Sequence, residues 1–490
     1  MPIPLVEPLG KVRTKIVATL GPASRDPGTL RRLIEAGVDV FRLNFSHGTH
    51  EEHSALLRDV RRVAEECDRQ IGVLQDLGGP KIRLGPILGD SVACAPGAEF
   101  QLVFDRKSDD PHELTCSYRE LVNDLKPGDQ VLFADGAVAM EVADVGPGLA
   151  RLVVTLPGLL RSNQGVNLPG ADLKIKALTN KDLSDLDWTR DNPVEFVGLS
   201  FVRSADDVLW LRSELRARNI DSLIVSKIEK PQAVANFDAI LAATDAVMVA
   251  RGDLGVEMDV ARVPAIQKRI ISACHAARVP VITATQMLAS METSSRPTRA
   301  EAGDVFNAVL DGTDAVMLSG ETAIGAYPVE SVSMMSRIAA EAEALLTSPS
   351  FSSSHPDPGP AAALYKLGWI TETTEVVVEA AAMCCRRLKA NLVVVATHSG
   401  KTAIALSKQR YDAPTLALTD GAPLARKMSL LWGVTPILVP ELTDGNQSLA
   451  FALDWARTRG LISRGDRAVL VRGTIPGNPV HNAVLVQEVE

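Results

Sequence analysis

Short runs of β-branched and other apolar residues recur along the first two-thirds of the chain, each followed by a stretch with apolar residues at helical spacing. The runs are KIVATL (15–20), VDVFRLNF (38–45), IGVLQD (71–76), VEFVGLSF (194–201), SLIVSKIE (222–229), DAVMVARG (245–252), VPVITAT (279–285) and DAVMLSG (314–320). Near-continuous apolar strands alternating with helices predict a parallel sheet covered on both faces, and eight such units are the number that closes a (β/α)₈ TIM barrel. The third and fourth runs are separated by a long segment of a different kind. It is rich in Gly and Pro and carries short alternating runs, AEFQLVF, DQVLFA, VAMEVADV and ARLVVTL. These predict an all-β insertion that leaves the C-terminal end of the third strand, where a lid would sit. After a Ser- and Pro-rich stretch at 347–362 the alternation restarts. Helices are expected at 372–390, 401–410, 422–432 and 446–460, with strands LVVVAT, TLALT, TPILV, AVLVRG and AVLVQEV. The expected fold is therefore α/β: barrel residues 1–76, an inserted lid at 77–170, barrel residues 171–346, and a C-terminal open-sheet α/β domain at 347–490.

Active sites of such barrels lie at the C-terminal ends of the strands. There the polar residues gather: Arg42, Asn44, Ser46 and His47; Asp76; Ser200 and Arg203; Lys227 and Glu229; Arg251 and Asp253; Thr285 and Gln286; Ser319 and Glu321. Arg and Lys beside Asp and Glu make a basin of mixed charge, suited to an anionic substrate and a divalent cation. The carboxylates of Glu229 and Asp253 suit Mg²⁺ or Mn²⁺, and no His/Cys spacing points to zinc. Phosphoryl transfer needs cations and donors around the moving group and little covalent chemistry from the protein. The RGDLGVE segment (251–257) adds a glycine-containing turn able to open a short helix whose backbone N–H groups could meet a carboxylate or phosphate.

Composition narrows the partners. With 490 residues, 46% of them hydrophobic and 23% charged, the chain has the make-up of a globular protein of several domains. A net charge of −9 argues against nucleic acid or an anionic membrane as partner. The MPIPLVEPLG start has neither the basic opening nor the apolar core of a signal peptide, and no apolar run approaches the ~20 residues that span a bilayer. The six cysteines form no C-x-x-C pair, and a reducing cytoplasm is expected.

The segments TKIVATLGPAS, RLNFSHG, SKIE, VMVARGDLGVE, TATQML, RPTRAE and DAVMLSGETA, in this order, resemble the pyruvate kinase family over nearly the whole chain. The resemblance implies transfer of the phosphoryl group of phosphoenolpyruvate to ADP, giving pyruvate and ATP, the last step of glycolysis. It implies that Lys227 neutralises charge on the transferring group, that Arg42 grips that group, and that Glu229 and Asp253 hold the divalent metal. Gly252 and Asp253 would offer backbone N–H to the substrate carboxylate and Thr285 would position it. Asn44, His47, Arg83 and Lys181 would lie on the nucleotide side, and a homotetramer is implied. Two other readings, a metabolite sensor without activity and a carbon–carbon lyase working through a metal enolate, keep the barrel. The first predicts loss of Lys227 or a metal carboxylate; the second leaves the lid and Arg83 without a role.

One position departs from the commoner pattern of that family. Where many members have a glutamate that accompanies a bound potassium ion, the chain reads Leu77, Gly78, Gly79, Pro80 and Lys81. The expectation is that the Lys81 ammonium takes the monovalent cation's place near Asp76, Asn44, Ser46 and Leu77, so that added K⁺ is not required. In the C-terminal domain, LVVVAT leads into HSGKTA (398–403). A Walker A loop would need a glycine at Val395, so ATP hydrolysis is not expected there. The resemblance implies an allosteric site for a phosphorylated effector, a sugar phosphate or AMP, at Thr397, Ser399, Gly400, Lys401 and Thr402. The GTIPGNPVHN loop (473–482) could close over it.

Overall fold

The computed structural model describes residues 12–104, 110–118, 120–170, 175–348, 370–442, 445–474 and 480–490. The MPIPLVEPLG start, most of the Ser/Pro-rich stretch and the centre of the 473–482 loop lie outside the described residues. All eight apolar runs form strands: Lys15–Thr19, Val40–Asn44, Gly72–Asp76, Phe196–Leu199, Leu223–Ile228, Ala246–Ala250, Val281–Ala284 and Ala315–Leu318. They close a parallel barrel in sequence order, the eighth pairing with the first. Their residues are almost all buried, on the inner and outer faces alike, which is why they read as continuous rather than alternating apolar runs. Several surrounding helices begin at capping boxes: Thr49 with Glu52, Thr179 with Asp182, and Thr298 with Glu301.

The inserted segment is a separate sheet-rich body with its own core, including Phe100, Phe133, Met140 and Leu152. Its six-stranded sheet runs Val166–Asn167, Gln130–Phe133, Val138–Gly146, Leu149–Leu156, Glu99–Val103 and Glu113–Leu114, and Gly158–Arg161 pairs with Ser91–Cys94 in a small second sheet. The four alternating runs are strands as expected. The additional strands hold two to four residues, too short to display a period, and a one-turn helix, Leu121–Asp124, departs from the all-β expectation.

The C-terminal sheet has the order Val434–Leu438, Thr415–Thr419, Leu392–Ala396, Arg467–Arg472 and Ala483–Glu488, parallel except for the last strand. This domain packs under the feet of the barrel strands, opposite the mouth. Lys408 and Arg410 pair with Asp314 just before the eighth strand, at 2.6 and 2.9 Å, and Arg426 pairs with Glu195 just before the fourth, at 2.6 Å. Among the described residues no helix is long and apolar enough to cross a membrane.

Candidate active site

The second, third and fifth strands deliver three charged side chains to one point in the mouth. Lys227 Nζ lies 3.2 Å from Asp76 Oδ1 and 2.9 Å from Glu229 Oε1, and donates to Ser200 Oγ at 2.7 Å. Arg42 donates through Nε to Asp76 Oδ2 at 2.7 Å and through Nη1 to the hydroxyl of Thr19 on the first strand at 3.1 Å. Asp76 is thus clasped by two cations, although its Oδ1 meets Lys227 at ion-pair rather than hydrogen-bond geometry. Gly198 permits this closeness, since a Cβ there would stand 3.0 Å from Asp76 Oδ1.

Burial shapes the charges. It works against the Lys227 ammonium, but Asp76 and Glu229 outweigh it and hold the lysine above its ordinary pKa. Burial likewise opposes the Asp76 carboxylate, and Lys227 and Arg42 overcome it, so Asp76 sits below the usual range. Glu229 is pushed up, by burial first, while Lys227 pulls the other way and neighbouring Asp253 adds to the rise. Its Oε2 accepts from the N–H of Phe201 at 2.7 Å, and Phe201 holds a left-handed φ of 56°.

Asp253 lies in a short helix, Arg251–Glu257, that starts where the sixth strand ends. Among the described residues its carboxylate has no hydrogen bond or ion pair. Glu229 and Asp253 therefore form a pair of hard oxygen donors that fits Mg²⁺ or Mn²⁺. No third His, Cys, Asp or Glu joins them among the described residues, so the remaining ligands would come from substrate or water. Thr285 and Gln286, after the seventh strand, both adopt left-handed backbone, φ 67° and 54°. Such strain is held where a side chain must be aimed. The Thr285 hydroxyl donates to Ala284 O at 2.7 Å and accepts from Gly252 N–H at 2.7 Å.

The other residues expected at the mouth take the following places. The Gly252 N–H is occupied by Thr285 rather than free for a ligand. Arg251 is buried and directs its guanidinium to Asp304 and to the carbonyl of Thr285, bracing the strained turn. Arg203 reaches Ile175 O, and Glu321 accepts backbone N–H from Leu288 and Ser319. Lys181 donates to Phe45 O and Asp185, Asn44 Oδ1 accepts from Ser46 N–H, and His47 is exposed with its carbonyl held by His53. Arg83 lies within the inserted domain and donates to Asn163 O.

Lys81 stands apart from Asp76 in this arrangement. Its side chain runs toward Gly165 of the inserted domain, with Nζ 4.0 Å from where a Gly165 Cβ would stand, and it is not paired with Asp76. The Asp76 carboxylate already has Arg42 and Lys227, and the turn after Leu77 carries Lys81 outward. Asn44, Ser46, Asp76 and Leu77 do converge, at the ends of the second and third strands. In the C-terminal domain, Thr397 Oγ1 accepts from Gly400 N–H at 3.0 Å and Thr402 Oγ1 meets His481 Nδ1 at 3.1 Å, so these groups bond one another. Lys401 is exposed, and Ser399 and Gly400 line a cavity of about 570 Å³ between this domain and the barrel feet. No motif in the sequence marks Thr19, the N–H of Phe201, or the group Lys230, Glu257 and Asn167. Only the polar residue ending the first strand carried a signal for any of them.

A parallel barrel with a clustered cation–carboxylate mouth, a sheet-rich insertion and an α/β appendage defines a class of multidomain barrel enzymes that act on anionic substrates. Comparison with known proteins gives the family. Residues 11–332 match the family described as "Pyruvate kinase, barrel domain", and residues 375–486 match "Pyruvate kinase, alpha/beta domain". A pyruvate kinase of Agrobacterium vitis is 42% identical over 464 residues, covering 94% of this chain and 95% of its own. One from Sporosarcina psychrophila is 40% identical over 468 residues, 95% of this chain and 78% of its own. A crystal structure of a pyruvate kinase from Cryptosporidium parvum superposes with a TM-score of 0.89 at 33% identity, covering 99% of this chain and 98% of the other. The chain belongs to the pyruvate kinase family and is a phosphotransferase.

Proposed function

We propose that this enzyme moves the phosphoryl group of phosphoenolpyruvate to a β-phosphate oxygen of ADP, leaving an enolate that takes a proton at carbon to become pyruvate. The observation that carries the reading is the buried Lys227 ammonium, kept charged by Asp76 and Glu229 at the point where four strand ends meet. Lys227 neutralises charge on the moving group and on the enolate oxygen, and Arg42, fixed by Asp76 and Thr19, faces the phosphoryl oxygens. Glu229 and Asp253 would hold Mg²⁺ or Mn²⁺, which would supply further positive charge beside the transferring group. Thr285 orients the substrate carboxylate, which takes over the N–H groups of Gly252 and Asp253 once Thr285 releases the first. Asn44, His47, Arg83 and Lys181 line the nucleotide side, and the inserted domain excludes water over them. Lys227→Ala should lose turnover while keeping its far-ultraviolet circular dichroism; retained turnover would refute the assignment.

Three finer features belong to the same reading. First, the enzyme works without added K⁺, Lys81 turning from Gly165 toward Asn44, Ser46 and Asp76 when substrate draws the inserted domain in. Activity in potassium-free tetramethylammonium buffer tests this, and a manyfold rise on adding K⁺ would sink it. Second, a phosphorylated effector, a sugar phosphate or AMP, binds at Thr397, Ser399, Gly400, Lys401 and Thr402; the exposed Lys401, which lines the interdomain cavity and has no ion pair among the described residues, supports it. A screen of these compounds at low phosphoenolpyruvate should find an activator whose effect Lys401→Ala removes. Third, the enzyme is a cytoplasmic homotetramer. Its last strand, Ala483–Glu488, is an uncovered sheet edge exposing Leu485 and Val486, a surface suited to a second copy. Light scattering would read the mass directly.

A further inference from the structure

Two crossings join the inserted domain to the barrel, the turn after Leu77 and the segment following the short strand Val166–Asn167. At the second crossing a buried polar joint reaches from the lid into the barrel. Asn167 Nδ2 donates to Glu257 Oε1 at 3.0 Å, and Lys230 Nζ donates to the same oxygen at 2.6 Å. Asn167 is 8% exposed and Glu257 3%. The position of Glu257 in the chain gives this joint its reach. It closes the helix Arg251–Glu257 four residues after Asp253, hence on the same helix face, while Lys230 directly follows Glu229. One carboxylate oxygen therefore links the lid to the carriers of both Glu229 and Asp253.

The joint borders a small polar cavity. Among the described residues Asn167 Oδ1, Glu257 Oε2 and Gln232 Oε1 are buried without a protein hydrogen-bond partner, and all three residues line one cavity of about 40 Å³, room for a water or two. The cavity leaves these acceptors room to take other partners if the lid moves. Phe201 borders the same cavity. Its N–H holds Glu229 and its ring lies 5.5 Å from Lys230 Nζ.

We propose that Glu257 is a positioning residue that ties the inserted domain, through Asn167, to the Glu229–Asp253 pair, so that lid placement sets the spacing of the two carboxylates. This rests on the reading that those carboxylates hold the divalent cation, and the test separates the two claims. Binding of Mn²⁺ alone to the full-length protein is followed by electron paramagnetic resonance for wild type, Asp253→Asn, Asn167→Ala, Glu257→Gln and the Asn167→Ala/Glu257→Gln double variant. Asp253→Asn should lose the ion. Asn167→Ala and Glu257→Gln should each bind about 10-fold more weakly, the size expected for groups that orient metal ligands. The double variant should be no weaker than the worse single one, because both remove the same link. Asn167→Ala removes only the lid side of the joint and leaves Lys230 on Glu257, so it answers the question even if Glu257→Gln folds poorly. Wild-type affinity in Asn167→Ala alongside loss in Asp253→Asn would overturn the coupling and leave the carboxylate assignment standing. Wild-type affinity in Asp253→Asn would overturn both.

Discussion

Lys227 is held in the barrel by charge as much as by shape. Asp76 retains Arg42 if the lysine is removed, but Glu229 would keep only the Phe201 N–H for its buried carboxylate. Removing one partner of a buried pair costs about 3–5 kcal/mol. Lys227→Met should therefore lose both turnover and several kcal/mol of stability in urea unfolding. Adding Glu229→Gln should restore much of the stability and none of the activity; a double variant no more stable than the single would contradict the charge account. At this scale the sequence was readable where a residue ends a strand. Lys227, Glu229, Asp253 and Thr285 stand at strand ends or in the first residues beyond them, and Arg42 stands two residues before the end of its strand. Arg251 and Arg203 occupy equivalent positions yet turn away into Asp304 and Ile175 O, because a long side chain can leave the mouth in a direction that spacing does not encode.

Among the elements, the turn into the inserted domain depends on Gly79. It has φ 62°, and a Cβ there would meet the Phe201 ring at 2.9 Å and Ser200 Cβ at 3.0 Å. Ser200 and Phe201 in turn hold Lys227 and Glu229. Gly79→Ala pays a left-handed penalty of about 1–2 kcal/mol and presses on both neighbours. Its kcat should fall at least about 10-fold, on the principle that small displacements of catalytic groups are costly. An unchanged kcat would mean the turn does not support the site. Helix ends were the least legible elements. The helices expected at 372–390 and 401–410 stop at Leu388 and Ser407, and the chain turns left-handed at Lys389 and Arg410 without a glycine to announce it. Barrel strands were legible because burial on both faces makes them unbroken apolar runs. The two-residue lid strands had no room for a pattern.

For the whole molecule, the union of barrel and C-terminal domain depends on a buried cluster of Asp314, Lys408 and Arg410. His275 sits beside it. Burial first, then Arg410, Lys408 and Arg278, push its pKa from 6.5 down to about 3, with Asp314 opposing. The unfolded chain therefore binds a proton below pH 6.5 that the folded chain refuses, so stability falls as pH drops from about 6.5 toward 3. The slope from this one group approaches about 1.4 kcal/mol per pH unit. Urea midpoints between about pH 5 and 7 should fall less steeply for His275→Gln than for wild type, and parallel curves would contradict this.

Everything at the barrel mouth turns on passage of a phosphoryl group from phosphoenolpyruvate to ADP. It is tested most directly by following pyruvate and ATP together, with phosphoenolpyruvate and Mg²⁺ present, in the presence and absence of ADP. The account predicts pyruvate and ATP in equal amounts when ADP is present and no pyruvate without it. Pyruvate released at the same rate without ADP, or none released with it, would contradict the account.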